Sequence, residues 1–480
     1  MTDTSDIKHK FISGIAWGIA EKFANLFTGF IITLVLARLL TPADYGLVNM
    51  IYIFTVLGTV LLDGGFGQAL IQRKDVNKLE ITSVFYLNLL LSIAVYLILY
   101  ISAPAIAAFY HQPRLIEISR VVFLTLPINA FCIVQHSLLT KELKVQQLTY
   151  VSIISAIVSG ALGIIMACKG FGVWSLVIQS LSYQATRALS LWFFSKWRPC
   201  IGFSFSFIKS IFGFSMNLLG VFTLTSIFQN IYTLLIGRFY NVNEVGYYNQ
   251  AYRMQTVASN AIASSIQRVT FPTFAKFQDD YVLLRSAYKR VTVTTMYIYF
   301  PLMMFLIVIS KALFDVFLTE KWLPSVPLFC LLCLAESLYP LNNINASVLK
   351  AVGKGKKYFR LTIANYLIIT ISIIFTYTHG IYALLSGYAV SAVLMSVMSM
   401  TVCGNEIKYP LYVQLKDLSP ILIITAATCI AAYLVTKLPC DEIYQLILSL
   451  ISGFLMYIIA NRVLRTPLYM ELHSLIKNKK

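Results

Sequence analysis

Ionisable side chains stand in this sequence where an oily helix has no use for them. Lys22, Arg187, Arg253 and Arg268 fall inside long apolar runs, as do the carboxylates of Glu21, Asp63 and Glu336. Such a group costs about 2.5–3.5 kcal/mol at mid-bilayer on insertion scales, so those present are expected to face a bundle interior or a wet cavity. A carboxylate in a low-dielectric setting takes up a proton or holds sodium, which makes Glu21, Asp63 and Glu336 candidates for ion coupling. The competing role for each is structural partnership with an arginine on a facing helix. Among the cations, Lys22 and Arg253 lie near mid-depth. Arg187 and Arg268 lie nearer a helix end, where a long side chain can instead snorkel to the headgroups. Lys22 directly follows Glu21, but adjacent helical positions point about 100° apart. Lys22 therefore needs an anion from elsewhere.

Amides and hydroxyls fall on the same helical faces. Trp17, Glu21, Asn25 and Thr28 step by four, four and three, and Asn49, Tyr52, Thr59 and Asp63 share a second face. Ser180, Gln184 and Arg187 form a third, and Ser226, Asn230 and Thr233 a fourth. The clearest stripe is Asn249, Arg253, Asn260, Ser264 and Gln267, and a shorter one is Glu336, Asn343 and Ser347. The bland role for the neutral members is hydrogen-bonded glue between helices, worth about 0.6 kcal/mol per contact. Cys330 and Cys333 make a C-x-x-C inside an apolar run, where they are simply i, i+3 neighbours. A thiol redox or zinc role needs a polar setting and more ligands. No metal, cofactor or catalytic residue is expected.

The elements that hold these residues are membrane helices. The chain has 480 residues, 58% hydrophobic and 12% charged, about half the usual charged fraction. Apolar runs of spanning length predict fourteen helices, near 11–37, 43–70, 79–104, 117–138, 147–168, 171–195, 207–237, 243–277, 283–309, 324–349, 358–377, 380–402, 418–437 and 441–464. The gaps leave no room for a soluble domain. The first run is too long and too weakly flanked for a signal peptide. Pro127, Pro301 and Pro340 fall inside helices and predict kinks. Asp63-Gly64-Gly65-Phe66-Gly67 lacks the context of a phosphate loop, so its glycines are expected to end or bend the second helix.

The net charge of +18 orients the protein rather than binding nucleic acid. With an even helix count both termini share one side, and clusters such as Lys350, Lys354, Lys356, Lys357 and Arg360 fall there. The other side holds only Arg38, Arg114, Arg120, Lys169, Arg238, Lys311, Lys321 and Lys437. The positive-inside rule then puts both termini in the cytoplasm.

Three echoes point to an internal repeat. Ile31, Thr33, Leu34, Arg38, Asp44, Gly46 and Asn49 return 200 positions later as Ile231, Thr233, Leu234, Arg238, Glu244, Gly246 and Asn249. Gly172-Val173-Trp174-Ser175 returns as Gly380-Ile381-Tyr382-Ala383, and Ser137-Leu138-Leu139 as Ser347-Val348-Leu349. Two parallel copies of one unit make a common transporter plan, with the substrate site where they meet. The expected divisions are 1–203, 204–403 and a final helix pair with a tail over 404–480.

Several phrases resemble the Wzx-type polysaccharide exporters. They are Leu39-Leu40-Thr41-Pro42-Ala43-Asp44-Tyr45-Gly46, Gly67-Gln68-Ala69-Leu70-Ile71-Gln72, Ala107-Ala108-Phe109-Tyr110, Gly170-Phe171-Gly172-Val173-Trp174-Ser175, Val245-Gly246-Tyr247-Tyr248, Phe271-Pro272, Lys321-Trp322 and Val352-Gly353-Lys354. The likeness covers about residues 10–400. It is nearest the colanic-acid and lipopolysaccharide exporters of the multidrug/oligosaccharidyl-lipid/polysaccharide superfamily. It implies an all-α integral membrane protein of two six-helix lobes plus a final pair, with a central cavity opening alternately to each side of the bacterial inner membrane. It implies as cargo an oligosaccharide repeat unit on undecaprenyl diphosphate. It also implies a polysaccharide polymerase and a chain-length regulator as partners. Related lipid II flippases hold their diphosphate with cavity arginines, and only that chemical logic carries over. A diphosphate stripped of water needs cations, a part for Lys22, Arg253, Arg187 and Arg268. A glycan needs amides, hydroxyls and aromatic faces, a part for Trp17, Asn25, Tyr52, Asn230, Asn249, Asn260 and Gln267. The isoprenoid tail stays in membrane lipid.

Two other function classes compete. A multidrug cation antiporter of the same superfamily would want a negative cavity, whereas the cations here outnumber the anions. A polysaccharide polymerase or glycosyltransferase would present long outer loops with acidic or arginine-rich sites, and the loops here are short.

Overall fold

The structure, a computed structural model, describes residues 27–73, 75–437, 439, 441–464 and 470, with side chains at all of these but 214, 217 and 260–269. Every regular element among them is helical: α1 (Phe27–Leu39), α2 (Pro42–Asp63), α3 (Phe66–Gln72), α4 (Lys78–Tyr110), α5 (Leu115–Val122), α6 (Thr125–Lys141), α7 (Val145–Cys168), α8 (Val173–Phe194) and α9 (Phe205–Phe239). There follow α10 (Val242–Lys276), α11 (Tyr281–Val308), α12 (Ser310–Leu318), α13 (Ser325–Glu336), α14 (Tyr339–Ala351), α15 (Gly355–Thr376), α16 (Ile381–Glu406), α17 (Leu411–Val435) and α18 (Glu442–Val463). Eleven helical stretches among the described residues are long and apolar enough to cross a membrane. The long helices α8 and α10 are too polar to meet the same standard.

The helix breaks have local causes. Gly64 and Gly65 adopt left-handed φ of +43° and +77° and separate α2 from α3, as the glycine run predicts. Pro127 and Pro340 do not kink continuous helices. Each stands in the first turn of a new helix, after breaks at Phe123–Leu124 and Ser337–Leu338. A first turn has no partner for the missing N–H, so proline is tolerated there. Pro301 does lie inside its helix, as do Pro104, Pro272 and Pro420.

The chain divides into two compact units, through Gly246 and from Tyr247 onward. In the first, α3, α4, α6 and α9 share a core of Phe66, Leu70, Val84, Phe85, Val134 and Ile208. A second cluster of Cys132, Leu139, Val151 and Leu191 joins α6, α7 and α8. α9, which the sequence division puts at the head of the second lobe, thus packs within the first unit. In the second unit, Phe274, Leu284, Tyr288, Ile344, Val348 and Cys403 join α10, α11, α14 and α16, and Leu418 and Ile421 of α17 pack on Met296 and Met400.

Each sequence echo marks a repeated local structure. Thr41 caps α2: its N–H donates to Asp44 Oδ2 at 2.9 Å while Asp44 N–H returns to Thr41 Oγ1 at 3.3 Å. Two hundred positions on, Asn241 Oδ1 accepts from Glu244 N–H at 2.9 Å. The repeated acid is thus the third helical residue, where acids favour a helix start. The two phrases also touch. A Cβ on Gly46 would lie 2.0 Å from the Val242 carbonyl oxygen, and one on Gly246 would lie 2.0 Å from that of Pro42. Gly172 and Gly380, at φ +53° and +96°, each precede a helix. Ser137 and Ser347 each donate to the carbonyl four residues back at 2.8 Å.

Candidate functional site

Lys22, Glu21, Trp17 and Asn25 lie outside the described residues, and so do the side chains of Asn260, Gln267 and Arg268. The remaining predicted residues fall into two groups, one in each compact unit.

In the first unit, Arg187 of α8 is half-buried and close enough to Cys132 and His136 of α6 for its charge to act on both. His136 is exposed. The two residues bring a guanidinium and an imidazole near one another, groups that can donate to phosphate oxygens. Gln184, one turn before Arg187, carries a buried Oε1 with no hydrogen-bond partner. Sequence reasoning missed His136, because an isolated histidine in an apolar run gives no signal until α8 is known to pack on α6.

Asp63 has a definite local task. Its carboxylate accepts the backbone N–H of Gly67, which caps the start of α3. A Cβ on Gly67 would come within 2.9 Å of both Asp63 Oδ1 and Ser137 Oγ. Tyr52 is exposed on α2 and Asn230 is half-buried on α9. Asn230 Nδ2 donates to the Ser226 carbonyl at 2.9 Å. Asn49, Thr55 and Thr59 likewise donate to carbonyls four residues back in α2. These neutral groups satisfy donors within their own helix, so the glue expected between helices is weaker than the stripes suggest.

In the second unit, Arg253 is exposed on α10 and Asn249 half-buried. Glu336, at the end of α13, accepts a hydrogen bond from the hydroxyl of Tyr388 on α16. Tyr299 of α11 lies within electrostatic reach of Glu336, and its hydroxyl lies 2.7 Å from Ser259 Oγ. Among the described residues, Glu336 therefore sits in a polar cluster of phenols. Tyr299 and Tyr388 were not picked out from sequence, since a tyrosine in a membrane helix looks like packing. The C-x-x-C pair behaves as neighbours on one helix: Cys333 is buried and Cys330 Sγ lies 3.4 Å from Ser310 Oγ.

Residues 35–327 match the family model described as polysaccharide biosynthesis protein. The chain belongs to that family. It is 26% identical over 405 residues to the lipopolysaccharide biosynthesis protein WzxC of Escherichia coli, covering 82% of this chain and 80% of the relative. It is 25% identical over 361 residues to the succinoglycan biosynthesis transport protein ExoT of Rhizobium meliloti, covering 75% and 72%. Among solved structures it is similar to the lipid II flippase MurJ in an inward closed conformation. That match has a TM-score of 0.76 and 16% identity over 95% of this chain and 99% of that one. The resemblance read from the sequence motifs is borne out, and the fold is that of an all-helical membrane transporter.

Proposed function

We propose that the protein carries undecaprenyl-diphosphate-linked oligosaccharide repeat units from the cytoplasmic to the periplasmic leaflet by alternating access, for capsule, exopolysaccharide or O-antigen. One observation carries this reading. A transporter fold here belongs to a polysaccharide biosynthesis family, so the cargo is a glycan and the step is translocation. A relative named as a transport protein supports it. Arg187 beside His136 supplies the anion-binding chemistry a diphosphate requires.

The finer reading follows the same logic. Fourteen helices form two six-helix lobes, 1–203 and 204–403, with a final pair over 404–480. The local structures shared by the three echoes support the repeat. Lys22, Arg187, Arg253 and Arg268 take the diphosphate. Trp17, Asn25, Tyr52, Asn230, Asn249, Asn260 and Gln267 face the glycan. Glu21, Asp63 and Glu336 are the places for a coupling proton or sodium, and Glu336 is the best furnished of them, because Tyr388 and Ser259–Tyr299 surround it with hydroxyls. A polysaccharide polymerase and a chain-length regulator would take the product onward. The protein would sit in the bacterial inner membrane with both termini in the cytoplasm.

The test is flipping of a diphosphate-linked glycan in proteoliposomes. Lys22→Ala, Arg187→Ala and Arg253→Ala should each slow it by about tenfold or more, the worth of one charged hydrogen bond. Wild-type rates in all three would refute the cation assignment. Lost glycan export with unchanged drug resistance in Arg253→Gln would separate this reading from a multidrug antiporter.

A further inference from the structure

A cavity of about 600 Å³ opens in the second unit, away from the residues above, between the α11–α12 elbow and the facing ends of α17 and α18. Three candidate spans end at this place, at Val308, at Val435 and at Glu442. A cavity at the ends of spans lies at headgroup depth. Ile307, Ala312 and Ile430 line its apolar part, and Lys311, Lys437 and Glu442 its polar part.

The charges are arranged as a divided pair. Lys311 and Lys437 are two of the few cations on their side of the sequence, and they line one cavity from positions 126 residues apart, Lys311 on α12 and Lys437 in the turn after α17. Lys437 Nζ stands over the Tyr433 ring at 5.1 Å. Lys311 Nζ is 4.0 Å from Glu442 Oε1, at the limit of an ion pair, and Lys311 is largely exposed. Glu442 also hydrogen-bonds the Asp315 carboxyl of α12, an arrangement in which two carboxyls share one proton and together hold a single negative charge. Two ammonium groups and a carboxyl lining one cavity match neither a plain anion nor a plain cation. They match a zwitterion. Below the cavity, Ile423, Ile430 and Leu434 of α17 and Ile443 and Ile447 of α18 are exposed, forming a surface on which acyl chains can lie.

We propose that this cavity binds the headgroup of a phosphatidylethanolamine. The phosphate pairs with Lys311 and Lys437, and the primary ammonium donates to Glu442. A primary ammonium offers three N–H donors, whereas a quaternary choline offers none. The site therefore discriminates between two lipids of equal charge. An anionic lipid such as phosphatidylglycerol satisfies the lysines but offers Glu442 only neutral glycerol hydroxyls in place of an ammonium, which forgoes the charge pairing and costs affinity.

Native mass spectrometry of the full-length protein, taken from bilayers with equal phosphatidylethanolamine, its monomethyl and dimethyl forms, phosphatidylcholine and phosphatidylglycerol, tests the proposal. The wild-type protein should retain one phosphatidylethanolamine, and retention should fall stepwise with methylation, by about tenfold from the first form to the last. Glu442→Gln should flatten the methylation series, and Lys311→Ala with Lys437→Ala should abolish retention. The methylation series uses unaltered protein, so it decides even if a variant misfolds. Equal retention across that series, or preferred retention of phosphatidylglycerol, overturns the proposal. So does wild-type retention by well-folded variants.

Discussion

At the scale of single residues, the closest approaches are the most informative. Gly46 and Gly246 each receive a carbonyl oxygen where a Cβ would need to be, 2.0 Å away in both cases. Backbone cannot yield as a flexible side chain does, so overpacking here costs at the upper end of the about 1–3 kcal/mol range. Gly46→Ala or Gly246→Ala should lower the thermal midpoint in detergent by several degrees. Gly29→Ala is the control, because among the described residues nothing lies within 4 Å of the added atom. That change should be neutral or raise the midpoint, since alanine is favoured over glycine in a helix by about 0.5–1 kcal/mol. A second residue-scale expectation concerns Tyr388→Phe. Removing the hydroxyl takes a donor from Glu336, and loss of a hydrogen bond to a charged group costs about 1.5–3 kcal/mol. Combined with Glu336→Gln in a double-mutant cycle, the two losses should be clearly less than additive. Additive losses would mean that the phenol and the carboxylate act separately.

At the scale of elements, a buried polar network decides how α17 joins the second unit. Gln414 Nε2 donates to the carbonyls of Tyr409 and Met400 at 2.7 and 3.1 Å, and its Oε1 lies 2.9 Å from the Tyr288 hydroxyl. Tyr288 also reaches Asn345 at 2.8 Å, and Asn345 donates to Ser399 at 2.9 Å. The chain of contacts ties α11, α14, α16 and α17 at one level. Gln414→Leu removes both donors and leaves two carbonyls without them, which costs about 3 kcal/mol at about 1–3 kcal/mol per buried group. A thermal midpoint in detergent unchanged from wild type would show that the network is incidental. Helix positions in this molecule were legible from apolar run length alone: α4, α7, α9, α11, α16 and α18 all lie close to their expected ranges. The glycine break after Asp63 was legible too. The breaks at Phe123–Leu124 and Ser337–Leu338 were not, because both sides of each are apolar and a run-length reading merges them. Nor was α12 foreseen, since nine residues are too few to register as a span. The candidate site was legible only as far as charge in an oily run allows. Arg187 stands out on that ground, but His136, Tyr299 and Tyr388 acquire meaning only through the helices packed on their own.

At the scale of the whole molecule, the uneven distribution of lysine and arginine makes a sharp claim about topology. Cations near span ends are retained on the cytoplasmic face, and the rule is strongest for short loops. The loops joining the described helices here are short, so each should obey it. The segment after α14 that opens α15 carries Lys354, Lys356 and Lys357, with Arg360 one turn on, and two of these lysines share Glu406 as partner. A net excess of positive charge is left at that end. The turn between α17 and α18 has Lys437 as its one cation, followed in sequence by Asp441 and Glu442. Alkaline phosphatase, active only outside the cytoplasm, should therefore be active when inserted between Lys437 and Asp441. It should be inactive when inserted after Gly353 or fused after Lys480. The same insertions with a cytoplasmic reporter should give the opposite pattern. Activity at the carboxyl end with silence between α17 and α18 would invert the protein. It would also place the phosphatidylethanolamine cavity in the cytoplasmic leaflet, because Lys311 and Lys437 travel with that turn whichever way the chain is threaded.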